Sequence, residues 1–335
     1  MKAFLILAHS DPLSLRDLIK NLNNGLNHFF IHVDLKSDIT TFEKELSVYI
    51  NKTVFFIQDR INVSWGGFSA VKAMELLLEA ALEKKTDYDH LIFLSGNDYN
   101  IRSSKEIDAY FEKNKGVEII RSYNLSRNGC RHCARKIQKY WFFDSNSEKN
   151  KFLRILKKLR RYFYYSFKKN RQVLINGKLC DIAYGSQWFA LTEKCAKYVL
   201  DIGKNNPDLR HYFSTSMASD EMYFHTIIFN SKFISRTLNR GFDEYSEFWS
   251  LNNYTWVDRR SLSCPLKVVN IGQEFLNSVK YIFLPNLKRS DSTSFLNEKN
   301  YQELISSEYL FARKFKTGYS DELKNLIEYH IDSKT

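Results

Sequence analysis

Five short polar turns and two pairs of charged residues are the parts of this 335-residue chain that could do chemistry. The first pair is Asp220-Glu221 in "SDEMYFHTII". A carboxylate there can take a proton from a hydroxyl as a general base, or can merely complement the positive end of a helix. The second pair is Arg313-Lys314 in "LFARKF", cations suited to phosphate oxygens or to an ordinary charged pair beside a helix. The turns are "AHSDP" (8–12), "HVDLKS" (32–37), "SWGGFS" (64–69), Ser95-Gly96-Asn97-Asp98, and "YGSQWF" (184–189). Asp34 could accept hydrogen bonds from a base or ribose, and Gly66, Gly67 and Gly96 would let backbone approach a ligand closely. Glycine in a turn is equally ordinary turn chemistry. Together these residue types suit a nucleotide.

Other motifs carry less. No G-x-G-x-x-G or G-x-x-x-x-G-K-[ST] is present, which argues against dehydrogenase and P-loop classes. Asp87-Tyr88-Asp89 has the form of a metal-binding Asp-x-Asp, but it precedes the apolar run "HLIFL" instead of following it, so a solvated turn is the expectation. The site after that run offers one carboxylate, Asp98, which would hold Mg²⁺ poorly. Cys130-His132-Cys133 lacks the second ligand pair of a structural zinc site. With five cysteines, a disulfide framework is not expected.

The elements that must position these residues read from hydrophobic period. "AFLILA" (3–8), "HFFIHV" (28–33), "VFFI" (54–57), "HLIFL" (90–94) and "VEIIR" (117–121) are continuous apolar runs, as expected of strands covered on both faces. Between the first two, Leu15, Leu18, Ile19 and Leu22 recur at helical spacing after Asp11-Pro12 and before Gly25. A second helix is expected over 69–82 and a third from Ser103, where Glu106 completes a capping box. Ser219 is the expected N-cap of a helix with Phe224, Ile227 and Ile228 on its apolar face. Alternation of this kind predicts a mostly parallel sheet flanked by helices, with ligands outside the carboxyl ends of the strands.

The chain is 44% hydrophobic with only 12 Gly and 4 Pro, which excludes a disordered tail. No apolar run reaches membrane-spanning length, and "AFLILA" meets His9 and Asp11 too early for a signal peptide. A cytoplasmic protein is expected. The net charge of +12 is concentrated over 149–171 in "KNKFLRILKKLRRYFYYSFKKNR". That stretch is either a solvated basic helix or an amphipathic surface for anionic lipid or an acidic acceptor. Nucleic-acid recognition patterns are absent, and no nucleic-acid partner is expected.

Taken in order, "AHSDP", "IHVDLKS", "VSWGGFSAVKAMELLLEAAL", "DYDHLIFLSGNDYNI", "GSQWFALT", "SDEMYFHTIIFNS" and "LFARKF" resemble the core-2 and I-branching β-1,6-N-acetylglucosaminyltransferases, a family that also contains the peptide O-xylosyltransferases. The resemblance runs from residue 3 to about 316. It implies a GT-A-type nucleotide-sugar fold in one glycosyltransferase domain over 1–330. A nucleotide-binding α/β half would occupy 1–125 and an acceptor-binding, catalytic half 126–330. It implies inversion at the anomeric carbon without a metal and with no cofactor. The partners would be a UDP-sugar donor, first of all UDP-N-acetylglucosamine, and a glycan acceptor, free or lipid-linked. A cytoplasmic location together with the basic stretch 149–171 fits synthesis of a bacterial surface polysaccharide at the inner membrane face, touched peripherally through that stretch.

By the same resemblance Glu221 is the catalytic base and Asp220 has a positional role at the acceptor, along with Gln187, Trp188 and Arg135. Lys314 would contact the donor phosphates, with Arg313 and, at roughly the right spacing, Arg289 as helpers. Asp34, Trp65, Gly66, Ser95, Gly96 and Asp98 would line the donor side. Two departures stand out. Xylosyltransferases carry an acid where this chain has Gln187, which argues against xylose transfer to protein, although "FARKF" is xylosyltransferase-like. Asn100 replaces a usual proline, which bears on turn rigidity more than on chemistry.

Overall fold

A computed structural model describes residues 1–127, 131–142, 144, 159, 164, 167–244, 256–258 and 295–333. The strands are β1 (Lys2–Ala8), β2 (His28–Val33), β3 (Val54–Phe56), β4 (His90–Ser95), β5 (Asp98–Asn100), β6 (Ser122–Asn124), β7 (Gln172–Ile175), β8 (Lys178–Asp181), β9 (Ala183–Gly185), β10 (Ala190–Leu191), β11 (Trp256–Asp258) and β12 (Phe311–Arg313). The helices are α1 (Pro12–Leu22), α2 (Ile39–Leu46), α3 (Ser69–Glu83), α4 (Ser104–Lys113), α5 (Arg131–Gln138), α6 (Glu193–Asn205), α7 (Pro207–Ser214), α8 (Tyr223–Phe229), α9 (Tyr301–Ser306) and α10 (Asp321–Asp332). The chain divides into two compact units. One comprises Met1–Asn97 and Ser103–Trp249, the other Asp98–Arg102 and Ser250–Thr335.

The first unit is built on a sheet of order β10-β4-β1-β2-β3, in which β4, β1, β2 and β3 are parallel and β10 is antiparallel. Ala3 and Leu5 of β1 pack with Val71, Met74, Leu77 and Leu78 of α3, while the alternating Phe4 and Ile6 are equally buried. Because successive side chains of a strand point to opposite faces, both faces of this sheet are covered, as the continuous apolar runs require. Helix starts follow local chemistry. The Asp11 carboxylate accepts from Ser14 N at 3.1 Å ahead of Pro12, and Ser103 with Glu106 closes the expected capping box on α4.

Two expectations are corrected. The run 117–121 forms isolated bridges, Glu118 with Thr237 and Ile119 with Ala190, instead of a strand. Ile120 N turns back to Glu118 O at 2.8 Å, which ends the ladder after one pair. Ser219 does not cap a helix: Ser219–Glu221 is a separate 3₁₀ turn and α8 starts after Met222. The Ser219 hydroxyl donates to Phe213 O at 2.7 Å, so it anchors the loop backward.

In the second unit β12 runs parallel to β11 and antiparallel to β5. Its core gathers Tyr99, Ile101, Leu296, Leu304, Ala312, Phe315, Leu323 and Ile327. No described helix is long and apolar enough to cross a membrane.

Candidate functional site

Glu221 ends a loop fixed from several sides. Ala218 takes a left-handed backbone, φ 57°, and donates its N–H to Gly66 O at 2.8 Å. Met217 N donates to Lys136 O at 3.0 Å, and Trp141 N to Thr215 O at 2.9 Å. The Lys169 ammonium, buried, donates to Tyr212 O, Thr215 Oγ1 and Ser216 Oγ at 2.9, 3.2 and 2.7 Å. Burial pushes that lysine down to about 7.

On this support the Glu221 carboxylate, about a third exposed at 32%, is engaged through one oxygen. Lys136 Nζ donates to Oε2 at 3.0 Å and to Tyr184 Oη at 2.6 Å, and the Tyr184 hydroxyl donates to the same Oε2. The ammonium also lies 4.3 Å from the centre of the Tyr184 ring. Among the described residues Oε1 accepts no hydrogen bond. Burial and the neighbouring Glu221 charge push the Asp220 carboxyl up to about 7.

The strand that carries Tyr184 is held by close packing. A Cβ on Gly185 would lie 2.0 Å from His225 Cε1 and 2.5 Å from Arg121 O. His225 is buried, with Nε2 2.8 Å from Ser186 O and Nδ1 3.2 Å from Ser122 Oγ. Burial lowers its pKa to about 4, which favours the neutral ring. Gln187 and Trp188 follow, half-buried, and Trp188 N donates to Ser186 Oγ at 3.3 Å. Arg135, beside Lys136 on α5, is exposed.

The turns at the carboxyl edge of the sheet gather around the end of β1. Asp34 N donates to Ala8 O at 2.8 Å and Gly96 N to Leu7 O at 2.9 Å. The Asp34 carboxylate turns its own loop, accepting from Lys36 N at 2.9 Å, with Lys36 Nζ 3.4 Å away. Ser95 closes β4 opposite Leu7, and a Cβ on Gly96 would come within 3.2 Å of Ala8 Cβ. Trp65 is 76% exposed, next to a buried Gly66 at φ 74°. At the opposite end of β4, Asp89 pairs with the Met1 ammonium at 2.7 Å and Lys115 at 3.0 Å, and Asp87 is exposed.

In the second unit Asp98 is fully buried on β5, and Arg313 Nε lies 3.5 Å from its Oδ1. Lys314 is half-buried just past β12, its carbonyl accepting from Leu296 N at 2.8 Å. Arg289, the Cys130, His132 and Cys133 side chains, and most of 149–171 lie outside the described residues. Lys169, from the end of that basic stretch, is buried instead of solvated.

Lys136 and the buried Arg121–Asp243 pair, at 2.7 Å, carry no motif of their own in the sequence, while Tyr184 and Lys169 stand inside the "YGSQWF" turn and the basic stretch with nothing there to assign them these contacts. They meet the site through contacts between distant positions. Lys136 had one signal, its place beside Arg135.

A parallel α/β sheet with polar turns at its carboxyl edge is an architecture in which ligands bind outside the strand ends, and here a separate braced loop also presents the Glu221 carboxylate. The chain belongs to the Core-2/I-Branching enzyme family, whose model matches residues 2–280. It is 22% identical over 334 residues to xylosyltransferase 2 of Mus musculus, covering 98% of this chain and 33% of that protein. A xylosyltransferase of Ciona intestinalis is 24% identical over 237 residues, 68% of this chain and 25% of its own length. The chain thus spans a third or less of these relatives. Among solved structures, the apo bifunctional glycosyltransferase WbbM aligns with 99% of this chain and 52% of its own, at 10% identity and TM-score 0.39. Apo mouse xyloside xylosyltransferase 1 aligns with 68% of this chain and 81% of its own, at 12% identity and TM-score 0.31.

Proposed function

We propose that this chain is an inverting glycosyltransferase that moves a sugar from a UDP donor to a hydroxyl of a glycan acceptor. The observation that carries the reading is the Glu221 carboxylate, braced through Oε2 and accepting no hydrogen bond at Oε1 among the described residues, on the acid motif of a chain matched by the family model. The acceptor hydroxyl loses its proton to Glu221 while its oxygen attacks the anomeric carbon, and the bond to UDP breaks in line on the far side. The charge left on UDP is met by fixed cations in place of a metal. Arg313 faces the buried Asp98, so we assign the main leaving-group contact to Lys314.

The donor we assign first is UDP-N-acetylglucosamine, and UDP-xylose is the second reading. Relatives named xylosyltransferase favour xylose, while Gln187 in place of the xylosyltransferase acid favours N-acetylglucosamine. The acceptor we assign is a precursor of a bacterial surface polysaccharide. The basic stretch 149–171 supports its assembly against an anionic membrane face.

The test is UDP release and sugar transfer with UDP-N-acetylglucosamine, UDP-xylose and other UDP-hexoses, beside Glu221→Gln. That variant keeps shape and removes basicity, so turnover should fall by roughly 10²–10⁴ while calorimetric UDP binding stays near wild type. Full turnover in Glu221→Gln, or a larger loss in Asp220→Asn, would move the base elsewhere.

A further inference from the structure

We propose that Lys136 and Tyr184 are positioning residues that anchor Oε2 of Glu221 and so reserve Oε1 for the acceptor's proton. The inference rests on the reading of Glu221 as the base and adds which of its oxygens reacts and what decides it.

The geometry is a closed triangle. Lys136 Nζ reaches Tyr184 Oη at 2.6 Å and Glu221 Oε2 at 3.0 Å, and the Tyr184 hydroxyl spends its only proton on the same Oε2. Two donors on one carboxylate oxygen, converging from different elements, fix both the position of the group and the rotation of its plane. Lys136 projects from α5 and Tyr184 from β9. Both elements are themselves tied down. The Lys136 carbonyl accepts from Met217 N in the loop ahead of Glu221, and β9 pairs with β6 and packs Gly185 against His225. A carboxylate so held cannot swing its second oxygen away. Among the described residues that oxygen accepts nothing, and the side chain is 32% exposed.

In the transfer step the acceptor O–H bond breaks and its proton goes to Oε1. The oxygen's electron pair forms the new bond to the anomeric carbon, and the pair of the old bond leaves with the UDP phosphate. Lys136 and Tyr184 keep their protons throughout, so neither is consumed and no further reactant is needed. Their contribution is alignment, which matters because a base displaced by about 1 Å can cost about 10² in rate. A plain ion pair on a carboxylate about a third exposed would instead add little.

The experiment measures UDP release, with whichever of UDP-N-acetylglucosamine and UDP-xylose is turned over, in Lys136→Met, Lys136→Arg, Tyr184→Phe and Glu221→Gln. Lys136→Met should lower kcat by about 10²-fold with the donor KM changed by less than about threefold, Tyr184→Phe should lower kcat less, and Lys136→Arg should regain part of the loss. In the Glu221→Gln background, Lys136→Met should add almost nothing, because anchoring matters only to a working base. Wild-type kcat in both Lys136→Met and Tyr184→Phe, or a full additive loss in the double variant, would overturn the proposal while leaving Glu221 as base. An active Glu221→Gln would overturn the base assignment itself. Should Lys136→Met fail to fold, by circular dichroism, Tyr184→Phe removes a single oxygen and carries the same cycle.

Discussion

Ala218 donates its backbone N–H to the carbonyl of Gly66 at 2.8 Å, and both residues hold left-handed backbone, φ 57° and 74°. This bond joins the "SWGGFS" turn to the loop that presents Asp220 and Glu221. Gly66 therefore has a structural task whatever it does toward a donor. Its backbone conformation is one an L-residue adopts at a cost of about 1–2 kcal/mol. Gly66→Ala should lower Tm by several degrees and turnover with it, since the brace on the base loop moves. Ala218→Gly should be close to neutral in Tm, relieved strain offsetting lost chain stiffness. Unchanged Tm and kcat in Gly66→Ala would remove the turn from the machinery.

A second expectation follows from Asp220. Its folded-state carboxyl is pushed up to about 7, first by burial and then by the Glu221 charge, with Lys136 opposing. The folded protein therefore binds more protons than the unfolded chain between the ordinary value of 3.8 and about 7. In that window the contribution of this group to stability falls as pH rises, and it levels off above. Asp220→Asn removes the titration, so Tm of the wild type minus Tm of the variant should grow steadily more negative from pH 4 to 7. Thermal unfolding across that range checks it, and a flat difference would sink the reading.

What was legible in the sequence was local. Asp11 before Pro12, the Ser103–Glu106 box and the apolar runs of β1, β2, β3 and β4 specify their own structure from neighbouring residues, and the parallel sheet follows from their alternation. The Asp220–Glu221 pair was legible because two acids stand together before an apolar run, and the choice of Glu221 as the candidate base came from the family resemblance. Its supports were not. Lys136 and Tyr184 lie 85 and 37 positions from Glu221, and no pattern in sequence joins them. Gly185, inside the "YGSQWF" turn, gave no sign in sequence that it makes room for His225. Ser219 read as a cap because its type and spacing fit, but the left-handed Ala218 turns the chain into a 3₁₀ segment first.

The metal question separates two ways of neutralising a diphosphate. With fixed cations in that role, transfer should survive excess EDTA and gain little from Mn²⁺. Activity abolished by the chelator and restored by Mn²⁺ would overturn the metal-free account. Asp87 and Asp89 are poor candidates to rescue it, since Asp89 is already committed to Lys115 and Met1 at the amino end of β4.

The last prediction concerns Lys314. Its backbone is pinned by the bond from Leu296 N at 2.8 Å, and its neighbour Arg313 is turned toward buried Asp98. If its ammonium meets phosphate oxygens, it meets them most strongly as the bond to the sugar breaks and their charge grows. It then acts on the transition state more than on the bound donor. Lys314→Ala should lower turnover by more than it weakens UDP binding, and loss of one such contact costs about 3–4 kcal/mol, or about 10²–10³ in rate. Lys314→Arg should recover only part, because a planar fork does not reproduce a compact point charge. Calorimetric UDP binding beside turnover reads both effects at once. Normal turnover in Lys314→Ala would detach the "LFARKF" segment from the chemistry and leave the leaving-group charge without its assigned partner.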